Sequence, residues 1–237
     1  VTMGAEKAKA GEEVRLVIPW GTITSEVVKE LKRIAFELQQ DFKKVTNLTT
    51  LPMIGLMNSV DPSVEASRLA EEIKELFGGK HYSLPVSTFV YEAAGLGSQV
   101  EEVLKQLEKA DIVLLHGKPI LLPGTHFGTV TRAPADKQMI QDVYKKGAIC
   151  EISGSFFSKA GTEIDPSGYR RVGMNYQSLQ GAGSNPACRS ILLIGTPDQG
   201  IDDYISMAKA ILQAGFPSVL ITDVTFARHL LDLKEGY

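Results

Sequence analysis

Cysteine is nearly absent from this chain: 237 residues contain only Cys150 and Cys188, each beside an apolar run. Two buried thiols in a reducing compartment are the expected state, with a disulfide left open by sequence. Histidine is equally sparse. His81, His116, His126 and His229 show no ligand spacing, so no metal is expected. No apolar run approaches the ~20 residues of a membrane span, and the N-terminus has no signal-peptide pattern, so a cytoplasmic chain without membrane contact is expected. Neither G-x-G-x-x-G nor a Walker A pattern occurs, which disfavours dinucleotide and nucleoside triphosphate binding; no cofactor is expected. A net charge of −3 argues against a dominant nucleic-acid face. No nucleophile elbow is visible, and Cys150 has no base beside it in sequence.

What is present is the composition of an ordinary globular domain, 43% hydrophobic and 22% charged. A chain this long buries roughly three-quarters of its unfolded surface. Strands alternate with helices throughout. Strands are expected at Val14–Ile18, Asn47–Ile54, His81–Val86, Asp111–Leu115, Ile191–Ile194 and Ser218–Thr222. The first helix is expected from Ser25 to Phe42, where Val27, Val28, Leu31, Ile34, Ala35 and Leu38 recur at three- and four-residue spacing. Asp61-Pro-Ser is read as the cap of a second helix ending at Gly78-Gly79. Further helices are expected at Ser98–Lys109, Ala135–Lys146 and Asp202–Ala214, and from Asp223 onward. Gly117 to Pro134 reads as a long loop, Ala148 to Phe157 as a strand bent at Gly154, and Phe156 to Met174 as an inserted hairpin. The β-branched strands and βα rhythm imply an α/β fold: one domain over 1–237, a mainly parallel sheet covered by helices on both faces.

Candidate binding groups stand where strands run into helices. In Trp20-Gly-Thr-Ile-Thr-Ser, Gly21 permits close backbone approach, Thr22 and Thr24 offer hydroxyls, and Ser25 is a candidate cap. An ordinary capped βα turn explains the same residues. In Gly195-Thr-Pro-Asp-Gln-Gly, Thr196 and Gln199 are candidate donors, and Asp198 or Asp202 a candidate cap. Lys118, in His116-Gly-Lys-Pro at a strand's carboxyl end, suits a phosphate or, if desolvated, a Schiff base. His116 is expected to satisfy a backbone group. Glu151 lies in an apolar strand where a carboxylate needs a partner: ligand hydroxyls, or an ion pair with Lys118, Arg170 or Arg171. An isomerase-like site with Glu151 as base and Lys118 as clamp is the enzymatic alternative.

The order of several segments resembles the effector-binding domain of the SorC (sorbitol operon) family of bacterial transcription regulators. The pieces are Trp20-Gly-Thr, Leu51-Pro-Met-Ile-Gly, Gly78-Gly-Lys-His-Tyr-Ser-Leu-Pro, Ala110-Asp-Ile-Val-Leu, Gly147-Ala-Ile-Cys-Glu-Ile-Ser-Gly-Ser-Phe-Phe, the Gly195 turn and Val219-Leu-Ile-Thr-Asp. The resemblance implies a Rossmann-like fold similar to glucosamine-6-phosphate deaminase and ribose-5-phosphate isomerase. It implies a sugar, polyol or sugar phosphate as effector, homodimers or homotetramers, and operator DNA contacted through an N-terminal helix-turn-helix upstream of Val1. The family's ligand-hydroxyl acid falls on Glu151, and its phosphate turn on Gly21, Thr22 and Thr24. Gln199 stands where the family often has Lys, which suits a neutral sugar or polyol unless Lys118 supplies the charge. The expected site places Gly21, Thr22 and Thr24 at one end of the ligand and Glu151, Ser153 and Gln199 at its hydroxyl-bearing end, with Lys118 and Thr196 alongside. The expected role is sensing, not turnover; a sugar-phosphate isomerase or deaminase is the alternative.

Overall fold

The computed structural model describes residues 11–37, 47–57, 62–120 and 134–232. Its strands are β1 (Val14–Ile18), β2 (Leu48–Pro52), β3 (Lys80–His81), β4 (Phe89–Tyr91), β5 (Ile112–Leu115), β6 (Gly117–Pro119), β7 (Ala148–Ile152), β8 (Ser155–Ser158), β9 (Glu163–Ile164), β10 (Tyr169–Arg171), β11 (Arg189–Leu193) and β12 (Val219–Ile221). Its helices are α1 (Thr22–Glu37), α2 (Ala66–Phe77), α3 (Ser98–Leu107), α4 (Pro134–Lys145), α5 (Tyr176–Ser184), α6 (Ile201–Gln213) and α7 (Val224–Leu230).

Six strands form a parallel sheet in the order β12-β11-β5-β1-β2-β3. Val17, Ile18, Leu51, Val113, Leu115 and Leu192 are buried in it, as expected of strands with helices on both faces. Burying each such side chain contributes about 1.5–3 kcal/mol. On one face Leu69, Ala70 and Ile73 of α2, at helical spacing, pack with Val14, Ile18, Val28 and Leu48. That helix stops at Gly78, whose φ is 84°, and Gly79 follows at 92°. A Cβ on Gly79 would lie 2.0 Å from the Leu48 carbonyl oxygen, so the chain needs glycine to re-enter the sheet as β3.

Strand order reverses between β1 and β5: β2 and β3 follow β1 to one side, and β11 and β12 lie beyond β5 on the other. A crevice at the carboxyl ends of such a pair is where open α/β sheets bind ligands. Here that edge carries a second sheet. The chain leaves β5 at His116 and enters β6 at once, and β6-β7-β8-β9 form an antiparallel sheet. Phe157 packs edge-on against Phe216, centroids 5.1 Å apart, and Tyr176 meets Phe216 at 5.3 Å, tying the second sheet to α5 and to the entry of β12. A short ribbon of β4 and β10 completes the structure, with Phe89 stacked on Phe156.

The Rossmann-like parallel sheet is as expected; several details differ. The helix expected from Ser25 starts at Thr22, because the Gly21 carbonyl already accepts the Ser25 N–H at 3.0 Å; Ser25 therefore sits inside the helix and does not cap it. Asp61 lies outside the described residues, as does His126; α2 begins at Ala66 after a 3-10 turn at Pro62–Val64. The strand expected to Val86 ends at His81. The Gly117–Pro134 loop opens as strand β6 and ends in helix α4, which starts at Pro134; 121–133 lie outside the described residues. The bent strand is two strands, β7 and β8, folded back at Ser153-Gly154, whose φ values of 45° and 82° are both left-handed. In place of one inserted hairpin, β8 and β9 complete the second sheet and β10 pairs with β4. Neither Asp198 nor Asp202 caps α6; Gly200 holds the cap position in left-handed conformation without a side-chain bond. Asp223 does cap α7, accepting the Phe226 N–H at 2.8 Å. Both cysteines are free and buried.

Candidate functional site

Two strand exits touch at the reversal point. β1 delivers Trp20 and Gly21, and β5 delivers His116. Gly21 has φ 122°, and a Cβ there would lie 2.7 Å from His116 Cδ2, so only glycine fits against the imidazole. Burial first, and then the Lys118 charge, push the His116 pKa down to about 3 against an opposing contact with the Leu193 backbone; the ring is neutral at pH 7. Neither ring nitrogen has a well-formed hydrogen bond. The Gly21 N–H is not available to an anion, because it donates to the Val64 carbonyl at 2.9 Å. Thr22 is exposed at the start of α1, whereas Thr24 is buried with its Oγ1 unpartnered.

The β7–β8 hairpin brings a carboxylate to this junction. Glu151 is 1% exposed. Its Oε1 accepts the Trp20 Nε1–H at 3.4 Å and the Gly154 backbone N–H; neither bond uses Oε2. Burial raises the Glu151 pKa to about 7, opposed by the Gly154 N–H, the indole and the charges of Lys118 and Arg171. Lys118 faces Glu151 directly across the β6–β7 ladder, and its Nζ stands 5.2 Å from the Trp20 ring centroid. Burial also presses the Lys118 pKa down, with Glu151 opposing. Ser153, in the turn itself, is buried with Oγ unpartnered.

Arg171 of β10 braces the turn from behind. Its Nη1 donates to the Ser153 carbonyl at 3.3 Å and its Nη2 to the Met174 carbonyl. Burial lowers its pKa, and Glu163, then Glu151, counter the shift. Glu163 in turn accepts from Ser155 Oγ at 2.9 Å. In the sequence Arg171 stands out only as one candidate ion-pair partner for Glu151. Its role as a brace depends on β10 crossing behind the hairpin, for which no local signal exists. The indole bond of Trp20 to Glu151, 131 residues away, was likewise out of reach.

The β11 exit lies at the same carboxyl edge, one strand beyond β5. Thr196 is held there by its own structural bonds: its N–H donates to Asp223 Oδ2 at 2.6 Å and its hydroxyl to Oδ1 at 2.8 Å. With the Phe226 N–H contributing most, these bonds hold the Asp223 pKa down at about 2. Gln199 is exposed. The structure thus gathers Gly21, Lys118, Glu151 and Ser153 around Trp20 and His116. Among the described residues, no hydrogen bond joins Thr196 or Gln199 to that group. No cluster of three or more His, Cys, Asp or Glu side chains is suited to a metal among the described residues, and no helix of theirs is long and apolar enough to cross a membrane.

The family described as "Putative sugar-binding domain" matches residues 11–188. No curated protein sequence matches significantly. Among solved structures, a DeoR family transcriptional regulator from Listeria monocytogenes superposes with TM-score 0.69 at 16% identity, covering 96% of this chain and 85% of that one. The full-length sorbitol operon regulator SorC from Klebsiella pneumoniae gives TM-score 0.72 at 13% identity, with 97% and 70% covered. A transcriptional regulator from Streptococcus pneumoniae gives 0.64 at 18% identity, with 98% and 95% covered. At these identities the likeness establishes the fold, and it is the fold implied by the resemblance to SorC regulators. The match over most of its length makes this chain a member of the sugar-binding domain family.

Proposed function

We propose that this chain is the effector-sensing domain of a sugar-responsive transcription regulator, and that its ligand, a sugar, polyol or sugar phosphate, lies at the carboxyl edge of β1 and β5. The observation that carries this reading is the gathering of polar groups at that edge: buried Glu151 and half-buried Lys118 across a ladder, the unpartnered hydroxyl of Ser153 in the β7–β8 turn, and that of Thr24 in the first turn of α1. Buried polar atoms without partners destabilise a fold by about 1–3 kcal/mol each, and ligand hydroxyls would satisfy them. Glu151 and Ser153 take the hydroxyl-bearing end, Lys118 supplies positive charge, and Thr22 and Thr24 hold the end nearest α1. Gly21 contributes close approach, not its amide. Thr196 and Gln199 form an outer rim, where Gln199 is exposed to a ligand extending past β5.

The isomerase alternative is not favoured, since the solved structures of this fold cited above are transcriptional regulators. On this reading the protein is not an enzyme. It acts in the cytoplasm as a homodimer or homotetramer and reaches operator DNA through a helix-turn-helix encoded upstream of Val1. A ligand moves such an equilibrium only through its differential affinity for the two states. A thermal-shift screen of sugars, polyols and their phosphates tests the proposal. Ligand at ~100-fold over its dissociation constant stabilises by about 2.7 kcal/mol. The absence of any shift at millimolar concentration across the panel would overturn it.

A further inference from the structure

We propose that Arg171 is the positioning residue of the effector site: its guanidinium locks the left-handed Ser153–Gly154 turn to the chain leaving β2, and so fixes where Glu151 and Ser153 stand. The assignment rests on the sensor reading above. It adds a residue that acts through the turn and not through contact with the sugar.

The β7–β8 turn is held in an unusual shape. Ser153 has φ 45°, uncommon for any residue but glycine, and Gly154 follows at 82°. A residue stays in that region where its surroundings over-determine it. Arg171 supplies the constraint from β10: Nη1 donates to the Ser153 carbonyl at 3.3 Å and Nη2 to the Met174 carbonyl. A Cβ on Gly154 would lie 3.1 Å from Arg171 Cδ, so the arginine stem lies against the turn itself. The other end of the clamp is anchored. The Met174 N–H donates to the Met53 carbonyl at 2.8 Å, and the Gly55 N–H to the Val172 carbonyl at 3.0 Å. Met53 follows β2 directly. One guanidinium therefore joins the turn of the antiparallel sheet to the carboxyl edge of the parallel sheet.

Arginine suits this task. Its planar fork serves two carbonyls at once, whereas a lysine ammonium is a single point. Neither acceptor is a carboxylate, and among the described residues Arg171 makes no ion pair, so its charge acts at a distance. Burial lowers its pKa, and Glu163, Glu151 and Asp165 oppose the shift. In return its field favours ionised Glu151, as does that of Lys118 on β6. Burial pushes the Cys150 thiol on the same strand up to about 12 and the His116 imidazole at the β5 exit down to about 3, so neither carries charge near neutrality. Trp20 offers an N–H alone. Two cations thus govern the ionisation of Glu151, and of these Arg171 also holds its turn.

Two NMR readouts on the ligand-free protein test this. One is hydrogen exchange of the Gly154 amide, which bonds to Glu151 Oε1; the other is the pH titration of the Glu151 carboxyl carbon, assigned by its loss in Glu151→Gln. In Arg171→Met the Gly154 amide should exchange about tenfold faster while the Leu192 amide of β11 is unchanged. The Glu151 midpoint should rise, since removing a cation favours the neutral acid. Arg171→Lys should return the midpoint toward the wild type yet leave Gly154 fast, because one ammonium does not span both carbonyls. An unmoved Gly154 amide, equal acceleration of Leu192, an unmoved midpoint in Arg171→Met, or full recovery of Gly154 protection in Arg171→Lys would each overturn the proposal. If Arg171→Met fails to fold by circular dichroism, the Gly154 amide of Arg171→Lys decides. Neither readout needs a ligand. A sugar panel that leaves the melting temperature unchanged therefore defeats the sensor reading alone, and an unmoved Gly154 amide defeats the assignment of Arg171 alone.

Discussion

Between their first and last residues the six parallel strands bury no ionisable side chain; Asp111 and His116 stand just outside the two ends of β5. The antiparallel sheet buries Glu151 outright and half-buries Lys118, with Arg171 pressed against its turn. Both sheets share one hydrophobic core, so the difference is not one of packing. The parallel sheet supplies a rigid edge made of hydrocarbon and backbone bonds. The antiparallel sheet supplies charge held at an energetic disadvantage, which is how binding sites, unlike scaffolds, are commonly built.

Four measurements break or sharpen this contrast. Removing hydrocarbon should hurt both sheets alike: Phe156→Ala and Leu192→Ala should each lower unfolding free energy by about 3–5 kcal/mol in urea titrations, and a large disparity would mean that the sheets unfold separately. Removing charge should do the opposite in the antiparallel sheet. Glu151 has a native pKa near 7 against an ordinary 4.5, so the unfolded chain ionises first as pH rises. Native stability contributed by the neutral carboxyl is therefore fully present below about pH 4.5 and lost on the way to pH 7, in total about 3 kcal/mol. Glu151→Gln should match the wild type near pH 4 and exceed its stability at pH 8. A flat difference across that range would show that Glu151 is not held neutral.

At the β11 exit the sign reverses. Asp223, held near pKa 2 by the Phe226 and Thr196 bonds, stabilises the fold above its ordinary 3.8 and loses that contribution as pH falls toward 2. Asp223→Ala should lower stability by about 1 kcal/mol at pH 7, from loss of the helix cap, with a diminishing penalty below pH 3 in thermal melts. The smallest effect belongs to the solvent-facing pair of Lys32 and Glu72 at 3.0 Å, between α1 and α2. Lys32→Ala should change stability by about 0.2–1 kcal/mol, and less at high salt.

The same contrast explains what could be read in the sequence. β1, β5, β11 and their helices declare themselves through apolar runs and helical periodicity, which are local properties. β4 and β10 do not, because Tyr91 finds its partner at Tyr169, and neither three-residue strand alternates clearly enough to stand alone. α5 is disguised by its own composition: Gly181 and Gly183 weaken it, yet a Cβ on Gly183 would lie 2.0 Å from the Gly215 carbonyl, so helix propensity yields there to close packing. In the site, Glu151 and Lys118 stand out because ionisable groups in apolar strands need a reason. Their juxtaposition is a consequence of ladder register, and the commitment of Thr196 to Asp223 is a consequence of β11 lying beside β12. Neither is visible until distant segments meet.

Trp20 is the only tryptophan in the chain, and it lies where the indole N–H meets Glu151 while the ring lies beneath Lys118. The protein therefore carries its single indole fluorophore at the centre of its candidate site. Anything that draws the ammonium off the ring or the carboxylate off the nitrogen changes the emission of that one residue, so occupancy can be followed in unlabelled protein, with no background from a second indole.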